Sequence, residues 1–88
     1  MWEIHYQPQV LKFLKKLDHT SQERILDYLE KISASKDPES FGKPLSANLA
    51  GFWRYRIGDY RVICDVRKKE LVVLVIDIGH RSSIYKTK

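Results

Sequence analysis

The chain holds a single cysteine, Cys64, among its 88 residues. No internal disulfide and no cysteine-based zinc cluster is possible, and a reduced setting is the simplest reading. Long apolar runs are absent too. The longest, Leu71 to Ile76, falls far short of the ~20 residues that cross a bilayer, so no membrane segment is expected. The first residues include Glu3 and His5 and lack the apolar stretch of a signal peptide. A cytoplasmic location is the expectation. There is no phosphate-cradling Walker loop, no dinucleotide fingerprint and no His-Glu-x-x-His pair. The acids are scattered, so neither a paired-carboxylate site nor a two-metal site is legible. No cofactor and no metal ligand set is expected. No repeat or low-complexity tract occurs.

What is present describes one domain, residues 1–88, with no room for a second. The composition, 43% apolar and 31% charged, is that of a folded chain rather than a disordered one. Sixteen Lys and Arg against eleven Asp and Glu leave a net charge of +5. That excess fits a polyanionic partner such as nucleic acid, an acidic protein segment or an anionic membrane, and fits equally a surface charged only for solubility.

Residues 1–6 alternate apolar and polar, with Trp2, Ile4 and Tyr6 on one side, which predicts a short strand. Pro8 opens a helix over Gln7 to Leu17 whose stripe is Val10, Leu11, Leu14 and Leu17. Thr20 with Glu23 three residues on reads as a capping box for a second helix, striped by Ile25, Leu26, Leu29 and Ile32, to about Ser35. The short turn between them predicts an antiparallel helical hairpin. Lys36 to Leu49 reads as a connecting loop. Three strands follow, Gly51–Ile57, Tyr60–Arg67 and Glu70–Ile78, the first two joined by a tight turn at Gly58-Asp59. The expected fold is α+β: an N-terminal strand, a helical hairpin, then an antiparallel three-stranded meander completing a mainly antiparallel four-stranded sheet, with the helices on one face.

The tight turn sets the register. Ile57 must oppose Tyr60, and Arg56 must oppose Arg61. Trp53, Tyr55, Ile57, Tyr60, Val62 and Cys64 then share the apolar face, and Arg54, Arg56 and Arg61 share the other. Like charges set directly across two strands destabilise them. Chance or a distant acid would explain the cluster; so would a bound anion. Gly79-His80-Arg81 leaves the last strand at one end of the sheet, and Tyr85 follows Arg81 by four residues. A histidine beside arginines and a tyrosine is an acid–base candidate. His5 and His19 lack such company. Lys12, Lys15 and Lys16 read as a solvated helix face, with contact to a nucleic-acid backbone the sharper alternative; Lys36 and Lys43 fit either role. Trp2 and Trp53 read as core.

The chemistry that suits these groups is metal-free phosphoryl transfer on RNA, in which a ribose 2′-OH attacks the adjacent phosphate. Guanidinium groups hold the oxyanions and stabilise the developing charge. They cannot move protons at neutral pH, because their pKa lies above ~12. His80 and Tyr85 are the nearby groups that can.

The stretch GKPLSANLAGFWRYRIGDYRVICDV, followed by VVLVIDIGHRSSIY, resembles the RelE group of the RelE/ParE toxin superfamily. With the helical hairpin, the resemblance covers nearly the whole chain. It implies a RelE-like fold and a toxin of a toxin–antitoxin pair that cleaves mRNA in the ribosomal A site, with the ribosome as partner and a RelB-like antitoxin. It also implies site residues: Arg54 and Arg56 where the family often carries two basic residues, Arg61 in the DYR element, Arg81 after the glycine of the last strand, and Tyr85 near the C-terminus. Lys43, Arg54 and Arg56 are expected on the RNA. Arginine rather than lysine at 54 and 56 speaks against either as general base, and His80 is the alternative. Two other functions share this ground: gyrase inhibition in the manner of the ParE branch, and RNA binding without catalysis.

Overall fold

Apolar side chains recur every three or four positions from His19 to Ala34, and this segment coils into the longest helix, α2. Its stripe of Ile25, Leu29 and Ile32 is fully buried. The computed structural model describes residues 2–80; Arg81 and Tyr85 lie outside the described residues. Strand β1 runs Glu3–Tyr6, helix α1 Pro8–Lys15, and after α2 come β2 (Lys43–Pro44), β3 (Trp53–Ile57), β4 (Tyr60–Arg67) and β5 (Val72–His80).

The helix caps differ in one detail from the sequence reading. Asp18 rather than Thr20 caps α2, its carboxylate accepting the Ser21 amide at 3.0 Å. Glu23, the expected partner of Thr20, instead approaches His19 one turn away, at 3.2 Å. Both Asp and Thr cap well; the residue whose backbone is extended where the helix begins takes the role, and that is Asp18. The amide bond holds the Asp18 carboxyl below its ordinary value. The group therefore adds stability above the unfolded carboxylate's value of about 3.9 and loses it as pH falls through the lower folded value. Asp18→Ala should lower the melting temperature at pH 7 and close that gap to wild type in strong acid, while Thr20→Ala leaves it unchanged. Thermal melts at both pH values check this.

The sheet has the order β1-β5-β4-β3-β2. β1 runs parallel to β5, and the other neighbours are antiparallel. The mixed α+β architecture is as expected, and the meander is completed at its far edge by β2, drawn from the segment read as a loop. Both helices lie on one face, over a core that includes Val10, Leu14, Tyr55, Val62, Val73 and Val75. Cys64 is buried in the same core, and burial pushes its thiol well up, with Asp65 adding to the effect. The β3–β4 register is the expected one, with Ile57 opposite Tyr60 and Arg56 opposite Arg61. Gly58 has φ +59° and Asp59 has no positive φ, the pattern of a type II′ turn, which needs glycine first.

β5 is interrupted. Ile63 faces Asp77 and Cys64 faces Val75, so Ile76 is an extra residue, a β-bulge. Its carbonyl accepts a bond from the Gln9 side chain at 3.1 Å, tying the start of α1 to the bulge. Past this point the side-chain alternation is reset. The strand also runs through Gly79 to His80 rather than stopping at Gly79.

Candidate active site

On the helix-free face, two cross-strand rows set cations side by side. In one, Arg56 of β3 lies opposite Arg61 of β4, with Gly79 beyond it on β5. In the other, Lys43 of β2 lies opposite Arg54, followed by Ile63 and Asp77. Two like-charge pairs thus occupy one patch, each in a geometry that costs stability. Lys43 was a loose candidate in the sequence; β2 seats it beside Arg54.

Arg61 is the most telling member. Only 8% of its surface is exposed, and it is the one charged residue among the buried described residues. Its bond is neutral: an Nη of the guanidinium donates to the Tyr60 carbonyl at 3.3 Å. Among the described residues no carboxylate lies within 4.0 Å of Arg61 or Arg56. Asp65 and Glu70 hold Arg67, and Glu39 holds Lys68. A buried cation with no ion partner is costly, and an incoming anion would offset that cost.

His80 falls at the same end of the sheet but on the other face. It pairs with Tyr60, and their rings meet edge to face at 5.8 Å; Tyr60 meets Phe13 of α1 in the same way at 6.2 Å. His80 is exposed and flanks the arginine patch from across the strand ends rather than standing within it. Its expected grouping with Arg54, Arg56 and Arg61 is therefore one of position along the sheet, not of a shared face.

Two residues escaped the sequence reading. Arg24 of α2 reaches the β3–β4 turn, where its guanidinium would lie 3.2 Å from a side chain placed at Gly58. Asp77 stands on the arginine face because of the bulge, one of its oxygens accepting the Ile78 amide at 2.9 Å. The pattern of the residues gave no sign of the bulge.

A sheet face that gathers Arg54, Arg56 and Arg61, backed by a helical hairpin, is an α+β arrangement whose chemistry suits an anion. Residues 4–85 match the family model described as ParE toxin of type II toxin–antitoxin system, parDE, and the chain belongs to that family, as a RelE-like toxin of the RelE/ParE superfamily. It is 35% identical to Toxin RelG of Mycobacterium tuberculosis (strain ATCC 25618 / H37Rv) over 52 residues. That match covers 59% of this chain and 60% of the relative's length. The RelE–RelB complex of Pyrococcus horikoshii OT3 is similar at 26% identity and TM-score 0.73, over 93% of this chain and 97% of that one. The fold also matches the M. tuberculosis RelBE2 complex at TM-score 0.81 and 24% identity, over 91% of this chain and 98% of that one. The isolated E. coli RelE toxin matches at TM-score 0.74 and 23% identity, over 99% and 94%.

Proposed function

We propose that this chain is a ribosome-dependent mRNA endoribonuclease, the toxic half of a pair whose other member is a RelB-like antitoxin acting in the cytoplasm. The observation that carries this is Arg61, buried with no carboxylate within 4.0 Å among the described residues and set against Arg56. A phosphodiester brought to this face finds two forked donors, each able to hold two oxygens. Lys43 and Arg54 extend the charge along the strand for a neighbouring phosphate. Arg81 and Tyr85, outside the described residues, enter by resemblance: Arg81 as a further phosphate ligand, Tyr85 with His80 as proton-transfer groups. The reaction is attack of the ribose 2′-OH on the adjacent phosphorus. Orientation of the message would fall to the ribosome, and naked RNA should be cut weakly. The Pyrococcus horikoshii relative, seen as a RelE–RelB complex, supports the antitoxin assignment; an acidic or amphipathic segment would cover the basic face.

A second reading has support in the family model, which is a ParE model: inhibition of DNA gyrase by protein contact. Mapping mRNA 5′ ends after brief induction, beside a gyrase supercoiling assay, separates the two. Cuts at a fixed position within codons are the expected result. Loss of supercoiling without cuts would install the second reading. Salt-dependent RNA binding with neither effect would reduce the protein to a binding module.

A further inference from the structure

We propose that Asp77 is the general base that takes the proton from the attacking 2′-OH, an inference that rests on the endoribonuclease reading. The arginine face needs a proton acceptor, and guanidinium groups cannot serve. His80 stands across the sheet against Tyr60. Asp77 is the carboxylate that the structure sets among these cations. It lies opposite Ile63 in the row of Arg54, and Arg61 is its diagonal neighbour on β4. Diagonal residues on one face have backbones about 7–8 Å apart, so one phosphodiester and its neighbouring ribose hydroxyl can meet both side chains. The two are not already paired, since no Asp77–Arg61 contact falls within 4.0 Å. The other charged residue flanking Ile63 on this face of β4 is Asp65, which is held by Arg67 at 3.0 Å. One Asp77 oxygen is fixed by the Ile78 amide, which orients the carboxylate and leaves the second oxygen to accept a proton.

The step balances without a further reactant except a proton donor. The O2′–P bond forms as Asp77 takes the 2′-OH proton and becomes a carboxylic acid. The P–O5′ bond breaks, and the O5′ leaving group gains a proton from water. The products are a 2′,3′-cyclic phosphate and a 5′-hydroxyl.

Asp77→Asn separates this role from a structural one, because its amide oxygen still accepts the Ile78 bond. In single-codon cleavage on programmed ribosomes, Asp77→Asn should lower kcat about 100-fold or more, the usual size of a general-base contribution. KM should stay the same or fall, since a negative charge has left a cationic patch, and the melting temperature should not move. Asp77→Glu, which keeps a carboxylate, should recover most of the rate. Cleavage by Asp77→Asn at the wild-type rate would overturn the proposal, and so would a loss matched by a rise in KM or a fall in melting temperature. Wild-type protein that cuts no message at all would instead defeat the endoribonuclease reading, and this inference with it.

Discussion

Arg61→Ala should lower mRNA cleavage by about 10²–10³-fold, the range seen when one transition-state donor is removed from a water-poor site. Cells expressing it should grow through induction. The argument turns on where Arg61 sits. It is 8% exposed, so its charge acts through little solvent, and it faces a second guanidinium across the strand pair. Each of these features costs stability in the free protein. Removing Arg61 relieves the repulsion from Arg56 and the burden of a buried charge with no carboxylate partner among the described residues, and forfeits the packing of its stem and its long bond to the Tyr60 carbonyl. The variant should therefore melt at or above the wild-type temperature while losing activity. Arg61→Lys keeps the charge but not the fork, and its rate should fall between the two. Calorimetry and primer extension on translating ribosomes measure both quantities. An Arg61→Ala protein that melts well below wild type would recast the residue as structural. One that stays fully toxic would remove it from the site.

The sequence exposed this patch because a tight turn leaves no freedom of register. Once Gly58-Asp59 is read as a two-residue turn, Arg56 has to oppose Arg61, and the apolar faces of β3 and β4 follow by alternation. The helices were legible for a similar reason, since their stripes repeat over several turns. What stayed hidden depends on distant contacts. Strand β2 has two residues, one of them Pro44, too few to show any period; it is a strand only because β3 pairs with it. The bulge at Ile76 has no glycine to announce it. Alternation counted from Val73 and Val75 turns Asp77 inward and His80 outward. The extra residue reverses both, sending Asp77 to the arginines and His80 to Tyr60. One inserted residue thus decides which titratable group joins the patch, and no local propensity records it.

Tyr55 should prove the most sensitive position for stability, and through it for the site's outer edge. The side chain is fully buried in the core under the helices. Its hydroxyl donates to the Pro38 carbonyl at 2.8 Å, inside the protein. Burial pushes its ionisation well up, so the donor stays protonated through the working range. The ring also sets the path of the next segment. A side chain at Gly42 would meet the Arg54 carbonyl at 2.7 Å and the Tyr55 ring at 2.9 Å, so the backbone there lies directly on β3, and Lys43 follows beside Arg54. Tyr55→Phe leaves the ring but strips the buried Pro38 carbonyl of its donor, at a cost of about 1–3 kcal/mol. Tyr55→Ala also opens a cavity, and large aromatic truncations cost about 3–5 kcal/mol. For a domain of this size each kcal/mol lowers the melting temperature by about 4–8 °C, so the alanine variant should lose at least 12 °C or so. The phenylalanine variant is the more informative, because it should fold. With the Pro38 tether gone, β2 is held less firmly, and Lys43 should contribute less to binding: KM for programmed ribosomes rises while kcat, set by Arg61 and its neighbours, holds. Lys43→Ala should weaken binding less in the Tyr55→Phe background than in wild type. Full additivity of the two substitutions would mean that the tyrosine hydroxyl stabilises the core without positioning the lysine.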